Sequence, residues 1–316
     1  MLRAAAAKLP DMGLPDLPEL IRRRVIRSAT SPFGHADYPL ARTLDHRGDP
    51  GLFGPGAASW QVIGDVAAFA GGIRALLIQA AHPEVVAGVD EHSRYREDPL
   101  GRLSRTSAYV TATTYGAIPE VESAVAMVRG AHRGVSGESH RGRRYAAANP
   151  AHAAWVHNVL TDSFLAAYQE FGPQPLTSGD ADRFVREQAV IGRMLDADPL
   201  PVTAAELRRW VTEHPDLGPS PGLKHAVEFL TDPPLSPGQK AGYRLLSAAA
   251  ISTIPERIRT ILDLERSAVG SAAGSATLGF LRWALGSSPS WHVALQRVGA
   301  PIPEGMFTQR PAFERG

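Results

Sequence analysis

Imidazole side chains among apolar helical residues are the first candidates for chemistry in this sequence. His132 follows Val128 by four residues on a segment where Val121 and Val125 recur at helical spacing. Its side chain is therefore predicted to face the core. A core-facing histidine is either a packing residue or a ligand, and neutral imidazole is the commonest protein ligand for haem iron in helical proteins. The spacing leaves both roles open.

Three further histidines lie on or beside predicted helices. His157 shares a mixed helix face with Phe164, and His82 ends an apolar segment where an imidazolium would suit the helix dipole. His92 lies in the connection that follows. Neither HxxxH nor ExxH spacing occurs on a predicted helix, so spacing alone indicates no metal site.

A second group of candidates is the run GRLSRT. Arg102 and Thr106 are four residues apart and share a helix face, with Arg105 just before the threonine. One interpretation pairs an arginine with a nearby carboxylate at the helix start, such as that of Asp98. The other makes this face a polar pocket wall, whose guanidinium and hydroxyl donors bind an oxygen ligand or a substrate carbonyl.

A third group lies in GRRYAAANP, where Arg143, Arg144 and Tyr145 precede a predicted helix start at Pro150. Arginine and tyrosine ahead of a helix N-terminus would suit a carboxylate or a haem propionate. The same residues also fit an ordinary surface loop.

These residues are positioned by helices. Residues 61–82 form one apolar helical pattern that ends before Pro83 and includes Gly64, Gly71 and Gly72. Glycine at an interior helix position lowers helix stability by up to about 1 kcal/mol. A slim helix that nevertheless carries several glycines indicates close approach by another backbone or by a flat ligand.

Helix-start signals recur along the rest of the chain. Asp98 precedes Pro99, Asn149 precedes a proline, and Thr203 and Glu206 have capping-box spacing. Strand patterns are essentially missing, and no repeat or linker is visible. We therefore predict an all-α fold, with residues 1–50 as an irregular segment containing a short basic helix and residues 51–316 as a single helical domain.

The composition excludes several classes of function. The formal net charge is only +1, which gives no reason to expect nucleic acid as a partner, and no segment has the apolar length of a membrane span. The absence of cysteine excludes disulfides, thiolate catalysis and iron–sulfur clusters. No Walker loop or nucleophile elbow occurs. The N-terminus lacks the pattern of a signal peptide, so we expect a cytoplasmic protein.

The ordered strings of the sequence resemble those of a known family, the rubber oxygenase (latex-clearing protein) catalytic domain. That family also contains the membrane-bound fungal oxygenase of mycophenolic acid biosynthesis. The resemblance spans roughly residues 50 to 265. It rests on the following strings: RALLIQAAHPEVVAGVDEHSRYREDPLGRLSRT, AHRGVSG, GRRYAAANPAHAAWVHNVLTDSFLAAYQEFG and LPVTAAELRRW.

The resemblance implies a globin-like helical core that binds haem b through one proximal histidine. Carried over, His132 is the iron ligand, while Arg102 and Thr106 are the polar pair of the haem pocket. Rubber oxygenases have a lysine before that threonine, and here the residue is Arg105. Arginine stays protonated and is a poor iron ligand, so the distal side is expected to be open or water-bound. Arg144 and Tyr145 are the expected propionate partners.

The implied reaction is oxygen chemistry on an apolar substrate. Without an export signal a polymer is an improbable substrate, so we predict a small apolar metabolite, isoprenoid or aromatic, together with dioxygen. His157 and His82 remain alternative iron ligands. A haem-binding sensor or carrier without turnover, and a cofactor-free member of the fold, remain alternative functions. The oligomeric state stays open, a homodimer included.

Overall fold

The chain folds as a single all-α domain, which confirms the predicted class. The computed structural model describes residues 17–93, 96–267, 270–286 and 288–301. Within these ranges the α-helices, in chain order, are α1 Leu17–Thr30, α2 Ala58–Gly64, α3 Ala67–Gln79, α4 Pro83–His92, α5 Pro99–Tyr115, α6 Ile118–His132, α7 Pro150–Phe171, α8 Ser178–Met194, α9 Ala204–Glu213, α10 Pro221–Thr231, α11 Pro237–Ser252, α12 Glu256–Leu262, α13 Gly270–Leu285 and α14 Pro289–Val298.

The segment before residue 51 was predicted to be irregular apart from a short basic helix. Its described part contains α1, followed by two 3₁₀ turns at Ser31–Phe33 and Thr43–His46. Residues 1–16, which belong to the same predicted segment, lie outside the described residues, as do residues 302–316 of the predicted helical domain. The boundary at residue 50 therefore stays a prediction.

Local capping explains where several helices begin. The carboxylate of Asp98 accepts a hydrogen bond from the backbone N–H of Gly101 at 3.0 Å at the start of α5. Asn149 does the same for Ala151 at 2.9 Å at the start of α7. Each side chain satisfies a backbone donor that has no partner within its helix. The starts predicted at these two residues are confirmed.

The prediction of one continuous slim helix over residues 61–82 is wrong. The chain bends by 89° between α2 and α3. Asp65 lies at the corner, and its carboxylate accepts a hydrogen bond from the backbone N–H of Ala67 at 2.8 Å, which supports the start of α3. The same carboxylate binds the guanidinium of Arg282 on α13 through contacts of 2.7 and 2.8 Å. An aspartate at a helix start and a tertiary ion pair therefore override the continuous apolar pattern.

The centre of the domain is the packing of α3 against α7. A Cβ atom added at Gly71 would meet the Cα atom of Phe164 at 3.1 Å and the carbonyl oxygen of Ser163 at 3.2 Å. Glycine at this position therefore permits two backbones to approach each other closely. Of the two explanations for the slim segment, the structure favours backbone contact, because α7 occupies the place beside Gly71.

A small antiparallel hairpin is the one departure from helical structure within the described residues. Strands β1 (Ser136–Glu138) and β2 (Arg144–Ala146) pair with Gly137 opposite Tyr145. The hairpin packs on α4. Three-residue strands are too short for an alternating pattern to be recognised, and for that reason the sequence indicated only loops.

Among the described residues, no single helix combines the length and apolar character needed to cross a membrane. Only α2 and α3 taken together meet that test, and the two are bent sharply relative to each other.

Candidate functional site

Two histidines and an aspartate converge where α3 ends and the α9–α10 loop passes. His82 is the N-cap residue of α4, His214 ends α9, and Asp216 follows in the loop. One ligand atom from each of the three side chains lies within 4.8 Å of the others. The backbone N–H of Gly218 donates to the carbonyl oxygen of Ala81 at 3.0 Å, which holds the loop against the start of α4.

The charges of these three side chains are set by their surroundings. Desolvation, together with the neighbouring imidazole of His214, lowers the pKa of His82 to about 4. Desolvation also lowers the pKa of His214. Desolvation raises the pKa of Asp216, but a hydrogen bond from Arg143 and the nearby imidazoles outweigh it and hold that pKa below its usual value. At neutral pH the cluster therefore presents two neutral imidazoles and one carboxylate.

Aromatic rings form one wall of this cluster. The ring of Trp155 lies 4.9 Å from that of His214 and 5.7 Å from that of His82, measured between centroids. Trp210 also packs on the ring of His214, at 4.8 Å, and its ring lies 5.9 Å from that of Trp155. Trp155 is itself fixed, because its indole N–H donates to the carbonyl oxygen of Gln79 at 3.2 Å. These contacts restrict both imidazole rings and exclude water from one side.

Polar neighbours hold the carboxylates of the cluster. Arg143 donates to Asp216 at 2.7 Å. Glu84, buried beside His82, accepts a hydrogen bond from the hydroxyl of Ser139 at 2.9 Å through one oxygen. Its other oxygen lies 3.4 Å from Nδ1 of His82.

Sequence reasoning named only His82 from this cluster. It missed His214 and Asp216, which lie far along the chain and form no local motif with His82. The sequence HPD over residues 214–216 offered the ligand types at close spacing, and only the fold brings them to His82.

The structure corrects the prediction that His132 faces the core. Val121 and Val125 of the same stripe are buried, but Val128 is only partly buried and His132, the last residue of α6, is exposed. The apolar stripe of α6 was predicted correctly. The C-terminal end of α6 extends beyond the elements that pack against the helix, so His132 is exposed. Desolvation lowers the pKa of His132, so its imidazole is neutral at pH 7.

The GRLSRT face does not form the buried polar wall that the second interpretation required. Thr106 is exposed, and its hydroxyl donates to the carbonyl oxygen of Arg102 at 3.0 Å. Arg105 forms an exposed ion pair with Asp98 at 3.2 Å. Arg102 is partly buried. The pairing of an arginine with a carboxylate at the helix start thus describes Arg105.

Arg144 and Tyr145 lie in β2 rather than in a loop. Arg144 is exposed, whereas Tyr145 is buried and its hydroxyl donates to the carboxylate of Glu91. Both residues line an open depression of about 520 Å³ that follows the hairpin, with Glu138 and Asn149 among the other lining residues.

The other candidate, His157, lies in the core between α5, α7 and α8. It lines a cavity of about 10 Å³ with Tyr109, and neither Nε2 of His157 nor the Tyr109 hydroxyl has a hydrogen-bond partner there. A Cβ atom added at Gly192 would lie 3.0 Å from Nε2 of His157. The space beside this nitrogen holds a water molecule at most, not a porphyrin.

The three candidate haem ligands, His82, His132 and His157, differ in how accessible their imidazoles are. His82 is 3 % exposed and His157 is 6 % exposed, and the cavity beside His157 is far too small for a porphyrin. His132 offers a neutral imidazole that a large ligand can reach. The hairpin that follows it carries the exposed guanidinium of Arg144 beside a depression within the usual size range of ligand sites. The donor chemistry of His132 and Arg144 therefore fits a haem, and Arg144 lines the depression whereas His132 does not.

Comparison with known proteins gives one positive result. Neither a curated protein nor a solved structure matches the chain. A family model described as the catalytic domain of the ER-bound oxygenase mpaB/B′ and of rubber oxygenase matches residues 60–283. This range is more than half of the 316 residues, and it contains α3 to α12 and the whole His82 cluster. The chain therefore belongs to the mpaB and rubber oxygenase catalytic-domain family.

Proposed function

We propose that this chain is a haem b-dependent oxygenase that uses dioxygen to oxidise a small apolar metabolite of isoprenoid or aromatic type. Membership of an oxygenase catalytic-domain family supports the reaction class. The observation that carries the choice of cofactor ligand is the exposure of the neutral His132 imidazole at the end of α6. Haem, when bound, would supply the redox chemistry with dioxygen, and the protein would control access and orientation.

His132 would hold the haem from one side through its imidazole. Its position at a helix end leaves the ring accessible without displacing any core side chain. The exposed Arg144 would pair with a propionate, because guanidinium binds carboxylate through a planar pair of donors. Tyr145 acts differently from the expectation: its hydroxyl is already bonded to Glu91, so it would form the wall of the depression instead of binding a propionate.

Arg102 and Thr106 would serve the substrate side. They lie one turn apart on α5, and the hydroxyl oxygen of Thr106 keeps its lone pairs for accepting a hydrogen bond while its proton goes to the carbonyl oxygen of Arg102. Arg102 would donate to a substrate oxygen or to dioxygen. Arg105 is paired with Asp98 and stays charged, so it would not compete as an iron ligand.

The test is an absorption spectrum of protein produced with added haem precursor, together with a pyridine haemochrome assay and iron analysis. We expect a Soret band and about one haem per chain. His132→Ala should abolish stoichiometric haem binding. His140→Ala, which removes another exposed histidine eight residues further on, is the matched control and should bind haem normally.

The other outcomes identify the alternatives. A normal haem spectrum in the His132→Ala protein would move the ligand to His157 or His82. Haem binding without substrate-dependent oxygen consumption, over a panel of isoprenoid and aromatic compounds, would favour a sensor or carrier. A colourless, iron-free protein that takes up no haem would overturn the proposal and leave a cofactor-free member of the family.

A further inference from the structure

We propose that His82, His214 and Asp216 bind one divalent transition-metal ion of the Zn²⁺ and Fe²⁺ class, at a site separate from the haem. The cluster lies where the start of α4 meets the α9–α10 loop, and it plays no part in the proposed haem chemistry. Its ligand atoms converge from three side chains to within 4.8 Å of one another.

The strongest observation is a buried nitrogen that lacks a partner. His82 is 3 % exposed, and its Nδ1 atom has no hydrogen bond within the described structure. The atom opposite it is Oε2 of Glu84, also 3 % exposed, which lies 3.4 Å away and likewise makes no hydrogen bond. Leaving a buried polar atom unpaired costs about 1–3 kcal/mol, and a metal ion bound by the His82 imidazole would remove that cost for the nitrogen.

The donor atoms of the cluster suit a cation as that ligand. Two carboxylates, from Glu84 and Asp216, flank the imidazoles. Arg143 pairs with the Asp216 side chain. Arg141 and Arg257 donate instead to the backbone carbonyl oxygens of Asp216 and His214 and, among the described residues, leave the ligand atoms free of further ion pairs. His152 adds a third imidazole, with its ring centroid 5.6 Å from that of His82. Desolvation keeps His82 in the neutral form, which is the form that binds metal.

The residues that contact the three ligand side chains also hold them in place, as they do in known metal sites. Arg143 holds one oxygen of Asp216, and Ser139 holds one oxygen of Glu84. Trp155 and Trp210 pack on the ring of His214 and limit its rotation. Such outer contacts orient ligands and tune their basicity. Ligands of one zinc ion lie about 3.4 Å apart at Zn–N distances of about 2.1 Å, so small side-chain rotations of the half-buried His214 and Asp216 suffice.

The donor set selects the class of ion. Two imidazole nitrogens and one carboxylate oxygen suit Zn²⁺, Fe²⁺ and Co²⁺, whereas Ca²⁺ and Mg²⁺ prefer all-oxygen sites and Cu⁺ prefers sulfur. Three protein ligands leave at least one coordination position for water or another small ligand.

The experiment titrates chelator-treated protein, produced without haem precursor, with Co²⁺ and then displaces the cobalt with Zn²⁺. We expect visible d–d absorption that saturates at one Co²⁺ per chain and is lost on adding Zn²⁺. His214→Ala and Asp216→Asn should each weaken Zn²⁺ binding by about 100-fold or more, and Arg143→Gln by about 10-fold, as for a residue that only orients a ligand. Circular dichroism verifies that each variant is folded.

His225→Ala is the matched control, because His225 is a half-exposed histidine that binds Asp90 outside the cluster. It should bind Zn²⁺ like the unaltered protein. Saturation above one ion per chain, no visible absorption, or equal affinity in all variants would overturn the site. Haem loading of His214→Ala, measured separately, should be normal, so that failure of the metal site and failure of the haem proposal give different results.

Discussion

The guanidinium of Arg74 and the carboxylate of Asp162 form an ion pair 2.8 Å apart inside the helical core, with both side chains at most 4 % exposed. Arg74 also donates to the hydroxyl of Ser163 at 2.7 Å. From the surface, Arg208 makes a second contact with Asp162 at 3.2 Å. The pair joins α3 to α7, the two helices at the centre of the fold.

Replacing Asp162 by asparagine should destabilise the protein by about 3–5 kcal/mol, because the substitution leaves the buried Arg74 without its counter-charge. Urea denaturation measures the change in the free energy of unfolding. Asp232→Asn is the control, since it removes an exposed pair with Lys240 and should cost less than about 1 kcal/mol. Equal losses in the two variants would contradict the role assigned to the buried pair.

Two adjacent glycines on α3 should respond in opposite ways to alanine. Gly71→Ala puts a Cβ atom against the backbone of α7 and should cost about 1–3 kcal/mol, because backbone atoms cannot move aside. Gly72→Ala meets nothing within 4 Å and should stabilise the helix by up to about 1 kcal/mol. Thermal unfolding of both variants measures the difference. A stabilised Gly71→Ala would show that α3 and α7 are further apart than described.

The buried His157 should make stability depend on pH. Burial lowers its pKa to about 4 in the folded chain, against an ordinary value of 6.5 for histidine. Between these values the unfolded chain binds more protons, so the contribution is fully present above pH 6.5 and is lost as the pH falls towards 4. Over this window the loss is about 3 kcal/mol. Thermal melts of the unaltered protein and of His157→Leu should show a shallower pH slope in the variant. Identical slopes would mean that His157 is protonated in the folded state.

If Arg102 and Thr106 act on the substrate side, Arg102→Gln and Thr106→Val should lower substrate-dependent oxygen consumption by about 10-fold or more while haem content stays the same. Arg105→Gln is the neighbouring control on the same helix, and it should keep both haem and activity because its partner is the exposed Asp98. Loss of haem in the Thr106 variant would instead indicate a role in binding the cofactor.

The sequence predicted the helices well where local signals determine them. Asp98, Asn149 and Thr203 cap α5, α7 and α9 with their own side chains, and each was recognised from the neighbouring residues. The all-α class followed from the same periodicity. A cap involves only a few consecutive residues, so no tertiary information is needed to identify it.

The candidate site was less predictable, because it depends on contacts between distant segments. The stripe on α6 was correct, yet how far α6 is covered depends on what packs against it, so His132 was assigned the wrong environment. His214 and Asp216 meet His82 only after α9 and α10 have packed near α4. The bend at Asp65 likewise depends on Arg282. This residue lies far outside residues 61–82, so the pattern of that segment alone could not indicate the bend.

The bend between α2 and α3 has a consequence for how the chain folds while it is being synthesised. Asp65 and Arg282 are 217 positions apart, so at about 5–20 residues per second a ribosome makes the arginine about 10 to 40 s after the aspartate. Until then the α2–α3 corner lacks its counter-ion, and contacts of such long sequence separation slow folding. Limited proteolysis of ribosome-bound nascent chains, arrested before and after residue 282 has emerged, should show residues 61–72 protected only in the longer ones. The corner would thus be among the last parts of the newborn protein to become protease-resistant.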